Sequence, residues 1–310
     1  MGKIPLERTI GDTYQFVFRN ILSIFGIAWL PCVLMIAIWA AAVWWFLPDF
    51  AAIDWSAQPD VALNQEVGMR LWLKMLAAAP LLYFLFYLLF AMVTVGIQRK
   101  ALGLHPGPVF VYFSLGGEVW RLLGAMILAI IIICFNAACT VASVLAVFWL
   151  GDHYHLPSAY GLVEFVAVAA GICWFYYSLI RLVFFMPPAL VSEGGLGLVR
   201  SWQLGHGNFW RIAALFIACV FGPMIVISMV SQIVVMPFMG SALLQIQQAG
   251  LDHRVLTPQQ MWAIIGPALH NFLPFWIVFE AITLPIVFGL QNAVSAFAYR
   301  NLAGAEAPAA

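Results

Sequence analysis

The chain has 310 residues, of which 65% are hydrophobic and 8% charged, and its 13 basic and 13 acidic residues balance to a formal net charge of zero. A composition this apolar lies outside the range of soluble globular domains. The charge balance excludes an overall basic surface for nucleic acid. We therefore expect a protein that is solvated mainly by lipid.

Six apolar segments are each long enough to cross a bilayer, since about 20 apolar residues of helix span the ~30 Å hydrocarbon core. They predict an all-α integral membrane protein whose six transmembrane helices form three tandem helical hairpins. A cleaved signal peptide is the alternative for the first segment, but its apolar run is longer than that of a signal peptide. In chain order, the segments are residues 21–47, 76–97, 122–150, 163–186, 212–236 and 272–298.

Two of the connecting segments carry helix signals of their own. In the loop of residues 48–75, acidic and basic side chains at i, i+4 spacing predict a helix that continues into the second span. Before the sixth span, Thr257 as N-cap and Pro258 at the first helical position predict a short surface helix. Residues 1–303 are predicted to form one membrane domain, and residues 304–310 a disordered tail, because the tail has nothing to bury.

Basic residues are unevenly divided between the two sides of the predicted bundle. One side carries only Arg70, Lys74 and Arg254. Because Lys and Arg are retained in cytoplasmic loops, the side with the excess is predicted to be cytoplasmic, and it includes both termini. The ten basic residues on that side are Lys3, Arg8, Arg19, Arg99, Lys100, Arg121, Arg181, Arg200, Arg211 and Arg300.

The chain enters its third and fifth spans through similar sequences. Residues 112–122 align with residues 202–212 at a constant offset, and a weaker copy at 14–20 precedes the first span. This predicts an internal repeat in which each unit has an interfacial helix, a span, an outer loop and a returning span. With two spans in each unit, any pseudosymmetry axis runs along the membrane normal. The predicted units are about 5–103, 104–196 and 197–303.

Aromatic and arginine side chains at the span entrances are predicted to set the depth of the bundle. Trp favours the headgroup level, and Arg keeps its charge in water or on phosphate while its stem covers apolar surface. The segments before the spans therefore read as amphipathic helices in the cytoplasmic interface. Near the inner end of the fourth span, Arg181 could snorkel to the headgroups or bind a lipid phosphate. The candidate interfacial or lipid anchors are Trp120, Arg121, Arg181, Trp202, Trp210 and Arg211.

The junction between the fourth and fifth spans resembles that of a known group of bacterial proteins. After the run 181–187, residues 201–211 follow the pattern Ser-Trp-x-Leu-x-x-Gly-x-x-Trp-Arg of YciC-like inner-membrane proteins. The membrane domain fused to some glycerophosphodiester phosphodiesterases is similar. The resemblance implies a bacterial inner-membrane location and no particular reaction, since these 310 residues do not include a soluble phosphodiesterase domain.

One acidic residue lies deep inside a predicted span. A charge at bilayer depth costs at least ~2.5 kcal/mol, so Glu280 requires a partner or a function. Thr283 and a carbonyl freed by Pro285 are close to it in sequence. The candidate partners on other spans are Asn136 and Gln232. Two hypotheses remain: a proton or cation site, or a protonated carboxyl that hydrogen-bonds to a neighbouring helix.

No residue spacing in the chain is typical of catalysis, of a cofactor or of a metal site. The outer-side histidines form only a His-x-His pair at 153–155 and isolated residues, which is a weak metal signal. We predict a non-enzymatic multi-pass protein of the bacterial envelope that binds membrane lipids or a partner protein, which could be a second copy. The alternative is a small-solute or ion transporter or channel with its polar site around Glu280.

The charge asymmetry makes the topology testable. In a variant without native cysteines, a cysteine placed at Ser56 is expected to react in intact cells with a membrane-impermeant maleimide that reaches the periplasm. A cysteine placed at Gln203 is the control, and it should react only after the membrane is permeabilised. Labelling of position 56 only after permeabilisation would overturn the predicted orientation.

Overall fold

The computed structural model describes residues 2–51, 61–105, 110–154, 160–252 and 258–306, and within these ranges the chain is helical without any strand. A π-helical segment, Ile217–Phe221, joins α8 to α9 and widens the helix by one residue per turn. The α-helices are α1 Leu6–Arg19, α2 Ile21–Ala51, α3 Val61–Ala101, α4 Gly117–His153, α5 Tyr160–Val183, α6 Met186–Glu193, α7 Leu198–Gly205, α8 Phe209–Phe216, α9 Gly222–Leu251 and α10 Pro258–Glu306.

Six helical segments of the described chain are long and apolar enough to cross a membrane. The prediction of an all-α membrane protein with six spanning helices is therefore confirmed. The segments are Ile21–Phe46, Gly68–Ala101, Gly117–His153, Tyr160–Glu193, Phe209–Leu251 and Gln260–Ala303.

Helix α3 begins at Val61 and runs unbroken into the second span, as the charge spacing predicted, and Arg70 lies 3.3 Å from Glu66. Helix α10 differs from expectation because the surface helix after Pro258 and the sixth span are one continuous helix. Both parts of α10 pack along α9, so no turn between them is needed. Thr257 lies outside the described residues.

The C-terminus also differs from the sequence-based expectation. Helix α10 continues to Glu306, three residues into the segment predicted to be a disordered tail. Alanine and glutamate are good helix formers, so the last turn can extend without burying apolar surface. Residues 307–310 of the predicted tail lie outside the described residues.

The buried side chains are concentrated at the end of the bundle that holds both termini. Ile27 of α2 belongs to one core cluster with Ile97 of α3 and Ala293 of α10. A second cluster joins α3, α4 and α6 around Leu122, and a third joins α6, α8 and α10 around Leu215. The hairpins α2–α3, α4–α5 and α9–α10 are thus held to one another mainly through their terminus-bearing halves.

The opposite halves of the same helices present large apolar side chains outward. Trp44 is 80% exposed, Val141 56% and Ile233 73%. Side chains of this kind gain nothing from leaving hydrocarbon, because lipid tails are as apolar as a protein core. The far halves of the three hairpins therefore offer wide surfaces to lipid.

A buried polar contact joins the first hairpin to the third. The Gln98 side chain is fully buried, and its Nε2 donates to the Asn292 carbonyl at 3.0 Å and to Ser295 Oγ at 2.9 Å. The Asn292 side chain donates to the Phe288 carbonyl of its own helix at 2.9 Å. These bonds fix the rotation of α3 against α10, since each lost partner would strand a buried polar group at a cost of about 1–3 kcal/mol.

The amphipathic helix α1 packs against protein on one of its faces. Thr9, Thr13 and Val17 are buried, and α1 contacts α10 and α8. The Tyr14 hydroxyl donates at 2.8 Å to the carbonyl of Ala218 in the π-helical segment. Burial raises the pKa of Tyr14 above its ordinary value of 10, so the phenol stays protonated and remains a donor.

The turn between α6 and α7 depends on a glycine and can be tested. Gly197 has φ 73°, and a Cβ at this position would overlap the Met186 carbonyl oxygen. Gly197→Ala is therefore expected to lower the free energy of unfolding by about 1–3 kcal/mol or more. Gly195→Ala is the control, because no atom lies within 4 Å of its Cβ position. Equal thermal unfolding temperatures for the two detergent-purified variants would contradict this account of the turn.

Candidate functional site

Glu280 lies on α10, is half-buried, and has no hydrogen bond or ion pair with any residue that the structure describes. Along the helix it is about 30 Å from Arg300, given a rise of about 1.5 Å per residue. This distance equals the thickness of the hydrocarbon core. A helix that keeps Arg300 at one layer of headgroups therefore brings Glu280 close to the opposite interface, where water can reach a carboxylate.

The other residues of the predicted polar site are dispersed. Thr283 is buried and donates to the Phe279 carbonyl of its own helix at 2.9 Å. Gln232 on α9 is exposed. Asn136 lines two cavities whose walls come from α4, α5 and α7, and Glu280 is in neither wall. The structure thus places Asn136 in a separate site.

That separate site is an apolar groove, which we call the α4–α5 groove. It consists of two cavities of about 340 Å³ each that meet at Asn136. The cavity nearer the termini is lined by Ile132, Ile133, Asn136, Phe175, Ser178, Leu179, Leu182, Leu198, Val199 and Trp202. The cavity farther from them is lined by Asn136, Cys139, Thr140, Ser143, Val144, Val147, Ala167, Ala170, Gly171 and Trp174.

Two polar atoms in the groove have no protein partner. The side-chain oxygens of Asn136 and Ser178 are buried and make no hydrogen bond with the described residues. A buried polar group without a partner costs about 1–3 kcal/mol, and hydrocarbon supplies no water to replace it. The groove can therefore accept an apolar chain that carries a polar group at this depth.

A buried arginine lies beside the groove. Arg181 is only 6% exposed, and its two terminal nitrogens donate to the Tyr177 hydroxyl at 2.8 Å and to the Trp202 carbonyl at 2.7 Å. Its guanidinium carbon lies 4.0 Å from the centre of the Trp202 ring. The sequence suggested that Arg181 snorkels to the headgroups or binds a lipid phosphate. In the structure, Trp202 and Tyr177 cover its guanidinium.

The junction motif explains how this arginine is held. Ser201 Oγ accepts from the Phe185 amide at 3.1 Å and donates to the Arg181 carbonyl at 2.7 Å, so it caps the end of α5. A Cβ on Gly205 would lie 3.0 Å from Cγ of Arg181, so glycine allows α7 to approach closely. Sequence reasoning missed Ser201 and Gly205, although both lie within the Ser-Trp motif.

The remaining predicted anchors divide into two kinds. Trp120 and Trp210 are exposed, which suits side chains at a headgroup boundary. Their neighbouring arginines bind protein: Arg121 donates to the Gly194 carbonyl, and Arg211 donates to the Ile4 carbonyl. These arginines join helix ends to one another, which sequence spacing alone could not indicate.

No protein-family model matches the chain, and no curated protein or solved structure is similar to it. The resemblance of residues 181–211 to YciC-like proteins therefore stays a prediction. Function is inferred below from the geometry and chemistry of the α4–α5 groove.

The isolation of Glu280 predicts a weak effect on folding. Glu280→Leu is expected to change the free energy of unfolding by less than about 1 kcal/mol, because no described hydrogen bond or ion pair is lost. Gln98→Leu is a contrasting variant, since it removes both hydrogen bonds that the buried Gln98 amide makes from α3 to α10. Thermal unfolding in detergent measures both. A loss for Glu280→Leu as large as that for Gln98→Leu would show that Glu280 has a buried partner.

Proposed function

We propose that this protein is a non-enzymatic multi-pass protein of the bacterial inner membrane, with both termini in the cytoplasm, and that it binds membrane lipid in the α4–α5 groove. The groove is the observation that carries the proposal. The walls of the cavity nearer the termini are almost entirely apolar, and Val199 at its end is 72% exposed. A lipid can therefore enter sideways from the bilayer without crossing water.

The polar atoms in the groove favour a lipid over a ligand without polar groups. Ser178 can donate a hydrogen bond, and Asn136 has both a donor and an acceptor in its amide. An ester carbonyl would accept from the Ser178 hydroxyl, and a lipid hydroxyl would donate to Asn136 Oδ1, so both atoms would gain the partners that the described protein lacks. A bound lipid would thus offset the cost of leaving them unsatisfied.

A protein partner is the other occupant to consider. Helices that pack in membranes use small residues at their interfaces. The small residue Gly171 is already used within the hairpin, since a Cβ there would lie 2.8 Å from the Thr140 methyl group. The outer rims of the groove carry bulky side chains such as Trp174, which is 52% exposed. Lipid tails adapt to such a surface more readily than a second helix does.

Transport through a polar site at Glu280 is the alternative function. It requires polar groups that line a continuous route, and neither Gln232 nor Glu280 lines the two cavities to which Asn136 contributes. In proteoliposomes, Glu280→Gln would abolish proton or cation flux if this alternative were correct, because an amide cannot exchange a proton or hold a cation by charge. If the protein binds lipid and does not transport, the wild-type protein should show no proton or cation flux.

Filling the groove tests the proposal. Ala170→Trp places a large side chain in the cavity farther from the termini, and displacing or straining a bound lipid by about 1.4 kcal/mol weakens its binding about tenfold. Ala138→Trp is the matched control, because Ala138 is exposed on α4 and lines neither cavity. Native mass spectrometry of the protein released from mild detergent counts the retained lipids. Equal retention by both variants, or no retention by the wild type, would refute lipid binding in the groove.

A further inference from the structure

We infer that the α4–α5 groove takes an anionic phospholipid of the cytoplasmic leaflet, whose phosphate pairs with Arg181. This inference deepens the proposed lipid binding and rests on it. Three observations carry it: the uncompensated charge of Arg181, the order of polar groups along α5, and the position of Trp202.

The charge of Arg181 has no counter-charge within the described protein. A guanidinium has five N–H donors, and the two hydrogen bonds that the structure shows go to neutral oxygens of Tyr177 and Trp202. Its Nε is buried without any partner. A buried cation that lacks an anion is strongly unfavourable, whereas an arginine matches the oxygens of a phosphate well.

Glu193, at the end of α6, is the nearby acidic residue, and it does not pair with Arg181. Glu193 Oε1 accepts from Arg200 Nε at 3.0 Å and from the Tyr299 hydroxyl at 2.7 Å. None of the ion pairs in the described ranges involves Arg181. The missing negative charge must therefore come from outside the described chain.

The charged and polar side chains along the groove are arranged in the same order as the phosphate and ester groups of a phospholipid. Ser178 lies one turn before Arg181 on α5, about 4.5 Å farther from the cytoplasmic end. Asn136 faces the same cavity from α4. A phosphate at Arg181 therefore brings the ester groups of the same lipid to the level of Ser178 and Asn136, which can donate to ester carbonyls.

The remaining length of the groove suits an acyl chain. From Leu182 to Ala167 the α5 wall extends about 22 Å. One leaflet contributes about 15 Å, half of the ~30 Å hydrocarbon core. A chain that enters beside α7 thus stays in contact with groove residues throughout its own leaflet. A free phosphate would use only Arg181 and leave the groove unfilled.

Trp202 links the arginine to the groove. Its ring covers the guanidinium, and the same side chain lines the cavity nearer the termini. The ring is partly exposed, at 37%, so it can move toward the surface when a phosphate approaches Arg181. Lipid binding should therefore change the environment of Trp202.

The test compares two lipids with identical acyl chains, phosphatidylglycerol and phosphatidylcholine, on the full-length protein in neutral detergent. Wild type is expected to bind phosphatidylglycerol about tenfold more tightly, because a choline cation competes with Arg181 for the phosphate. Arg181→Gln should remove this preference, so that the two lipids bind with similar affinity. Arg200→Gln is the matched control, and it should keep the preference, since Arg200 pairs with Glu193 at 3.0 Å.

A second measurement uses only conservative variants, so it does not depend on the folding of Arg181→Gln. The fluorescence of Trp202 is the difference between the emission of wild type and that of Trp202→Phe. Phosphatidylglycerol brominated on its acyl chains should quench this fluorescence. Brominated phosphatidylcholine should quench that fluorescence less at equal concentration. Inorganic phosphate should not reverse the quenching, and reversal would identify a free-anion site and overturn the lipid assignment.

The outcomes separate the two proposals. If neither lipid binds wild type, lipid binding itself is refuted. If both lipids bind wild type equally, or if Arg181→Gln keeps the preference, lipid binding stands and the assignment of the phosphate to Arg181 is overturned.

Discussion

Backbone groups at helix ends must find partners inside a protein when lipid surrounds them, and this constraint determines where the molecule is packed. The terminus-bearing end holds most of the helix breaks. There Ser201 caps α5, Tyr14 donates to a carbonyl of the π-helical segment, and Arg211 donates to the Ile4 carbonyl in the segment before α1. These bonds draw the hairpins together at that end, and the buried clusters lie around them.

Between their ends, the far halves of the described hairpins are continuous helices, so few of their backbone groups need a partner on another helix. Their apolar side chains are as well solvated by lipid as by protein. The hairpin α4–α5 therefore keeps an open groove along its length. Where this groove reaches the packed end, Ser201 and Gly205 hold α7 close to Arg181. The same constraint thus accounts for both the open α4–α5 groove and the buried Arg181 beside it.

Sequence patterns predicted the spans because a spanning helix is recognisable by length and hydropathy alone, without knowledge of its neighbours. The helical start of α3 was predictable for the same reason, since its i, i+4 charges act within one helix. Contacts between helices could not be predicted in this way. The cover over Arg181 depends on the turn at Gly197, and the isolation of Glu280 depends on which helices adjoin α10. Neither arrangement leaves a periodic signal in the chain.

The central claim is that the hairpins meet at the terminus-bearing end while lipid surrounds their far halves. Oxygen, which concentrates in hydrocarbon, reports this directly through its collisions with spin labels. Labels at Val141, Phe165 and Ile233, in protein reconstituted into nanodiscs, are predicted to show the high collision rates of lipid-facing sites. Low rates at all three positions would contradict the claim, because they would place the far halves against one another or against a second protein.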